Sequence, residues 1–339
     1  MYREIGAYFE LELFGCGEYH TGAVLLNSAR NALRYIIRVF SITALHVPYY
    51  TCPVVWDAVN SENCEILFYD IDEDFMPARE FDDDAFVLAN NYFGVCDDNM
   101  AILSRKYRNL IVDDAQSFYS KSCGLASFYS PRKFFGLPDG GMLLCDRHME
   151  ERFERDTSYE RMAHLLKRHD LGARGGYEDF KDNDGSLAGQ PVKMMSRLTK
   201  ALMQNINYEH VRKVRNENFN FMHDKLGGFN ELRINSNANG DTSSTANGNI
   251  RGDIKANINT PMVYPLLMKS EGLRGKLLSR NIYIARYWDG IERAAPAGSR
   301  AIYLKDNLLP LPIDQRYSAE DMSRIAGAIA DGQGIRLKI

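Results

Sequence analysis

Long apolar runs are missing from this sequence. No stretch approaches the roughly 20 apolar residues that a membrane-crossing helix needs, so no membrane partner is expected. An excess of one charge is missing too. Lys and Arg number 41 against 45 Asp and Glu, a net charge of -4. Neither nucleic acid nor an acidic lipid surface is expected to bind. Metal signatures are absent. The seven histidines form no H-E-x-x-H and no His/Cys spacing typical of zinc, so no metal site is expected. Paired cysteines are absent as well. Cys16, Cys52, Cys64, Cys96, Cys123 and Cys145 are scattered, with no C-x-x-C. The opening segment MYREIGAYFELELFG carries Glu4, Glu10 and Glu12 where a secretory signal has to be apolar. Free thiols in a cytoplasmic setting are therefore expected.

What the sequence does have is the alternation of an α/β protein. Its 339 residues, 45% hydrophobic and 25% charged, suit a large domain with a smaller partner. Leu33, Ile36, Ile37 and Phe40 make one apolar helix face. Asn27 or Ser28 is the expected cap of that helix. Short buried strands are expected at 44–47, 64–69, 85–90 and 110–112, and helices at 52–59 and about 101–108. Such alternation predicts parallel βαβ units in a doubly wound sheet. Ligands of such sheets bind at the carboxyl ends of the strands, and Asp113 sits at one of those ends.

Residues 150–226 read as helical and charged, interrupted by a Gly/Asp-rich stretch at 167–189 that predicts a mobile loop over the site. Residues 235–259 are rich in Asn, Gly, Ser and Thr and predict an exposed excursion. The Arg251-Gly252-Asp253 triplet inside it reads as coincidence. Strands at 261–269, 282–285 and 308–313 and helices at 272–280 and after Ser318 complete the chain.

Three features bear on chemistry. Residues 127–141, SFYSPRKFFGLPDGG, place Lys133 between two hydrophobic runs and end in a Gly-Gly turn before an apolar strand. Leu110-Ile111-Val112-Asp113-Asp114-Ala115-Gln116 is an apolar strand ending in carboxylates. Leu26-Asn27-Ser28-Ala29-Arg30 is a small-residue turn opening a helix, whose N-terminus can hold a phosphate. An anion-binding turn, a carboxylate and a candidate Schiff-base lysine, in that order, are the parts of a pyridoxal phosphate (PLP) site.

With these motifs in this order, the chain resembles the DegT/DnrJ-type PLP-dependent sugar aminotransferases of the aspartate-aminotransferase fold (fold type I). The resemblance runs from Leu26 to about Ala330. It implies a large PLP-binding domain at 1–229 and a small C-terminal α+β domain at 230–339. It implies PLP as cofactor, with Lys133 and Asp113 catalytic: Lys133 bonded to the cofactor, Asp113 against the pyridine nitrogen. Asp114 is the rival for that second role. Ala29 and Arg30 would hold the phosphate, with Arg30 in place of the usual Thr. Gln116 would contact the ring oxygen. Cys52 stands where an aromatic ring usually stacks on the pyridine, so Tyr50 or Tyr92 is an alternative stacker. Phe128 stands where relatives place a phosphate-binding Ser, so Ser130 or Ser127 would replace it. Arg132 is a further phosphate contact or a surface residue. Tyr287, with Arg286 and Trp288, would line the substrate entrance. Met194-Met195-Ser196-Arg197 replaces the Asn-x-Arg motif that reaches a neighbouring subunit. A lysine rather than a histidine at 133 argues against sugar dehydration. By the same resemblance the chain is a cytoplasmic homodimer that moves an amino group from an amino acid such as glutamate to a nucleotide-linked keto-sugar. The alternatives are a non-catalytic binder on the same fold, or a PLP enzyme of amino acids with Arg286 or Arg316 clamping a carboxylate.

Overall fold

A computed structural model describes residues 11–334, apart from 14, 16, 233, 237–253, 257–259 and 270. A seven-stranded sheet organises the first two-fifths of the chain. Its strands are β1 (Val24–Leu26), β2 (Ala44–Pro48), β3 (Glu65–Tyr69), β4 (Val87–Asn90), β5 (Leu110–Asp113), β6 (Ala126–Tyr129) and β7 (Gly141–Cys145). They lie in the order β1-β7-β6-β5-β4-β2-β3. The five from β6 to β3 are parallel, and β7 runs antiparallel to both β6 and β1. This is the mixed α/β sheet that the strand–helix alternation predicts.

Leu45, Val47, Val87, Leu88 and the Leu110, Ile111, Val112 run are fully buried, as expected of strands covered on both faces. The helices α1 (Ala29–Val39), α2 (Pro53–Asn60) and α3 (Asp97–Lys106) connect the strands. Ser28 caps α1, its hydroxyl accepting from the Asn31 N–H. The chain steps from β2 outward to β3, then returns to the other side of β2 for β4. The ends of β2 and β4 thus flank the switch point at which such sheets open a crevice.

After β7 come α4 (Ala163–Gly175), α5 (Tyr177–Ser186), α6 (Arg197–Met203) and α7 (Tyr208–Leu226). The loop expected at 167–189 is therefore mostly two helices. Its glycines mark the hairpin between them: Gly172 takes φ 77°, and Gly175 and Gly176 make the turn. β8 (Ile234–Ser236) pairs with β9 (Ile254–Ala256). β10 (Val263–Leu267) pairs with β11 (Leu308–Pro312) and packs on α7. α8 (Leu273–Ser279) and α9 (Arg300–Asn307) lie between those two strands. The last helix, α10 (Ala319–Gln333), packs on α7 and α8 and opens with a capping box of Ser318 and Asp321. The strand expected at 282–285 does not form. That segment runs as a loop, and the Ala285 carbonyl is taken by the Arg274 guanidinium. Arg251-Gly252-Asp253 lies outside the described residues.

The second sheet is stitched to the first beside β4. The Met262 N–H donates to the Phe93 carbonyl at 2.7 Å. Phe93 takes φ 60°, held there by a bond from its own N–H to the Gln116 side chain.

Candidate active site

The carboxyl ends of β2, β4, β5 and β6 meet at the switch point. Cys52 follows β2 and caps α2. Asn90 ends β4 and donates to Thr51 Oγ1 at 2.8 Å, tying the two strand ends together. Asp113 ends β5, in register between Asn90 and Phe128. Beyond β6 the chain makes a single 3₁₀ turn, Pro131–Lys133, closed by the Lys133 N–H on the Ser130 carbonyl.

Five of the residues singled out in the sequence lie within electrostatic reach of one another here. Lys133, Arg30 and Asp113 all lie within electrostatic reach of the Cys52 thiol, which burial pushes up and the Lys133 ammonium holds back. Tyr287 reaches the same thiol from the loop after α8, its own hydroxyl pushed up by burial. Asp113 is almost buried, and burial raises its carboxyl above the usual carboxylate range. The Lys133 ammonium and the Ala115 N–H, 2.8 Å from Asp113 Oδ1, oppose that rise. Lys133 and Asp113 thus lie within electrostatic reach of one another.

Lys133 is exposed. The sequence predicts it buried. The reason is its place on a surface turn after β6 rather than on the strand itself.

Asp114, the rival carboxylate, belongs to a separate buried network. Asn91 Nδ2 bonds to it at 2.8 Å, and burial pushes its carboxyl well up. Tyr50 and Tyr92 are sealed in an aromatic cluster, the Tyr92 hydroxyl donating to the Tyr50 carbonyl at 2.6 Å. Cys52 is only partly covered. The Gln116 carbonyl oxygen is committed to the Phe93 N–H at 3.0 Å. Tyr287 lies parallel to the Phe93 ring, 6.3 Å between centroids. Arg197 is exposed on the first turn of α6.

The N-terminus of α1 forms one end of the crevice. Ser28 bridges to Gly140, and the Gly140 N–H donates to the Asn27 carbonyl at 2.9 Å. Ala29 is the first residue of the helix and half-buried. Ser127 is fully buried and exchanges hydrogen bonds with the Cys123 backbone, both at 3.1 Å. Ser130 is buried. Arg30 and Arg132 both turn to Asp184 on α5.

Two features at the site had no readable signal in the sequence. Asp184 lies in the run Asp182-Asn183-Asp184, which reads as a solvated face. Arg215 on α7 is fully buried without an ion pair among the described residues. Burial lowers its pKa to about 10, so it stays charged at neutral pH. It donates to the carbonyls of Met262 and Phe134 and to Gln315, and stacks over the Phe134 ring. Gln315 donates to the same Phe134 carbonyl at 2.8 Å. The residue next to Lys133 is therefore clamped from α7 and from beyond β11.

No family profile matches the sequence, and no curated protein matches it. Solved structures do match in fold. DesV from S. venezuelae, determined with a ketimine intermediate, has a TM-score of 0.59 at 17% identity, over 91% of this chain and 84% of that one. A DegT DnrJ EryC1 StrS aminotransferase from Brucella abortus gives 0.58 at 15% identity, over 92% and 86%. The E. coli GDP-4-keto-6-deoxy-D-mannose-3-dehydratase with bound hydrated PLP gives 0.56 at 16% identity, over 91% and 87%. Over about nine-tenths of its length the chain thus shares the fold of these proteins, the fold-type-I architecture.

Proposed function

We propose that the chain is a PLP-dependent aminotransferase that passes an amino group from an amino acid, such as glutamate, to a nucleotide-linked keto-sugar. The observation that supports this reading is that Asp113 ends β5 and Lys133 closes the turn after the neighbouring β6, within electrostatic reach of one another and of Cys52. The donor set fits the cofactor: an amine facing a carboxylate, with guanidinium groups and a helix N-terminus at one end. The Brucella abortus protein is an aminotransferase, and the dehydratase binds PLP. Those facts favour the same cofactor class here.

When bound, PLP supplies an aldehyde for the amine and a ring that accepts electrons from the substrate carbon. Lys133 supplies the amine, and Lys133 Nζ later carries the proton taken from the substrate carbon. Asp113 keeps the pyridine nitrogen protonated. Ala29, Arg30 and Ser130 bind the phosphate through the α1 N-terminus, a guanidinium and a hydroxyl. Cys52 would lie on the ring side of the cofactor, Gln116 would be the partner of the ring oxygen, and Tyr287 would border the substrate. We take the working unit to be a cytoplasmic homodimer, with a second domain beginning near residue 230.

The test is spectroscopic. Purified protein mixed with PLP should develop the visible band of a covalent lysine adduct, and Lys133→Ala should remove it. A wild-type protein that develops no band would end the cofactor reading. The exposure of Lys133 favours a second reading, a binder that keeps the fold without turnover. It predicts that the band forms but that no amino donor bleaches it.

A further inference from the structure

We propose that Arg30 and Arg132 form a site for a phosphate-monoester dianion, and that Asp184 is its built-in competitor. This rests on the reading of the crevice given above and concerns how its anion end is kept.

One oxygen, Asp184 Oδ1, receives both cations. Arg132 Nη2 lies 2.5 Å from it and Arg30 Nη2 lies 3.7 Å from it. Both guanidiniums are mostly covered, with about four-fifths of each side chain out of solvent, while the Asp184 side chain is half-exposed. Lys133 and Arg132 are adjacent but diverge: Lys133 acts on Asp113 and Cys52, Arg132 on Asp184. The placement of Asp184 is built rather than casual. Its neighbour Asn183 is buried and donates to the Pro138 carbonyl at 2.7 Å, docking α5 on the loop that leads into Gly140 and Gly141.

The charges do not balance. Two guanidiniums meet one carboxylate, so one positive charge is left over, beside the partial positive charge of the α1 N-terminus. A dianion with three terminal oxygens matches two planar donors and that excess, where a single carboxylate oxygen does not. Binding of the dianion exchanges the carboxylate for phosphate and frees α5 from its contact with the turn. Asp184 therefore lowers the affinity for every phosphate monoester and leaves the unphosphorylated aldehyde unaffected.

The experiment titrates wild type, Asp184→Asn and, as a charge control, the exposed Asp182→Asn, first with inorganic phosphate by calorimetry, then with PLP and with pyridoxal. Asp184→Asn should bind phosphate and PLP about fivefold tighter, the scale of losing two partly exposed ion pairs. Asp182→Asn should stay within about twofold of wild type, the residual of a distant screened charge. Pyridoxal affinity should not change. Arg132→Gln combined with Asp184→Asn should cancel the gain. Phosphate should also speed amide hydrogen exchange in α5. If Asp184→Asn binds phosphate no tighter than Asp182→Asn, if no variant binds phosphate, or if the gain survives loss of Arg132, the proposal is overturned. Failure of the cofactor reading looks different. The phosphate gain persists while no covalent band forms with PLP.

Discussion

At Asp113 two opposing demands meet. In the function proposed above its carboxyl has to be charged to hold a proton on a ring nitrogen, yet burial at the end of β5 disfavours that charge. Lys133 and the Ala115 N–H compensate only in part, since the net shift is upward. The consequence for stability follows from proton linkage. A carboxyl whose pKa is raised on folding binds its proton more tightly in the native state than in the unfolded chain. Stability then falls as pH rises from the unfolded value, about 3.9, through the raised folded value, and the penalty is constant above it. Asp113→Asn removes that penalty. The variant should melt above wild type at pH 7, with the difference shrinking to nothing as the pH is lowered past the unfolded value. Calorimetric scans across that range check this. A variant that melts below wild type at pH 7 would mean that Lys133 more than repays the burial. The gain would come with loss of cofactor chemistry, the usual conflict between stability and function at a site.

At the scale of elements, the join between α1 and β7 sets the anion end of the crevice. Gly141 packs so closely on the Ser28–Ala29 backbone that a Cβ there would collide with the Ser28 carbonyl and lie 2.5 Å from the Ala29 nitrogen. Because the clash is with backbone, no side chain can yield. Gly141→Ala should cost about 3 kcal/mol or more, in the range of severe overpacking. Phosphate affinity should fall with it, since α1 must move. Thermal melting and phosphate titration of one preparation measure both. Such joins are half-legible in sequence. A Gly-Gly pair before an apolar strand signals a close approach, but not what it approaches. The strand–helix alternation made the main sheet legible because each strand is a short apolar run with its own stop signal. A strand end also explains why Asp113 could be singled out, since parallel strands deliver their carboxyl ends to one edge, whereas Cys52 was singled out only through the family resemblance. The segment at 167–189 was misread because its glycines mark a turn between helices, and composition alone does not separate that from a loop. The segment at 282–285 has strand-like residues but no partner strand, and pairing is not a local property. Asp184 and Arg215 were invisible for the same reason: each acts on residues about 50 to 150 positions away.

At the scale of the whole molecule, the described surface carries an apolar cluster on the helical hairpin and the turn before it. Tyr159, Leu166, Leu171, Tyr177 and Phe180 are all exposed. A concentration of large side chains on one excursion is more than the scattered exposure ordinary in monomers. The homodimer proposed above therefore predicts a mass of twice the 38.6 kDa chain by sedimentation equilibrium. Replacing Leu171 and Phe180 together by Glu should return the single-chain mass without lowering the melting temperature by more than about 2 °C, since neither residue is in the core. A wild-type protein that sediments as a single chain removes the dimer from the proposal.

The clamp on the Phe134 carbonyl carries one more consequence, for any shortened version of this protein. Arg215 on α7 and Gln315 after β11 both hold the backbone beside Lys133. A nonsense codon upstream of Gln315, or a protease nick that frees the last helix, strips away half of that grip although every strand of the main sheet is still encoded. The amine would survive in such a fragment, but without a fixed address.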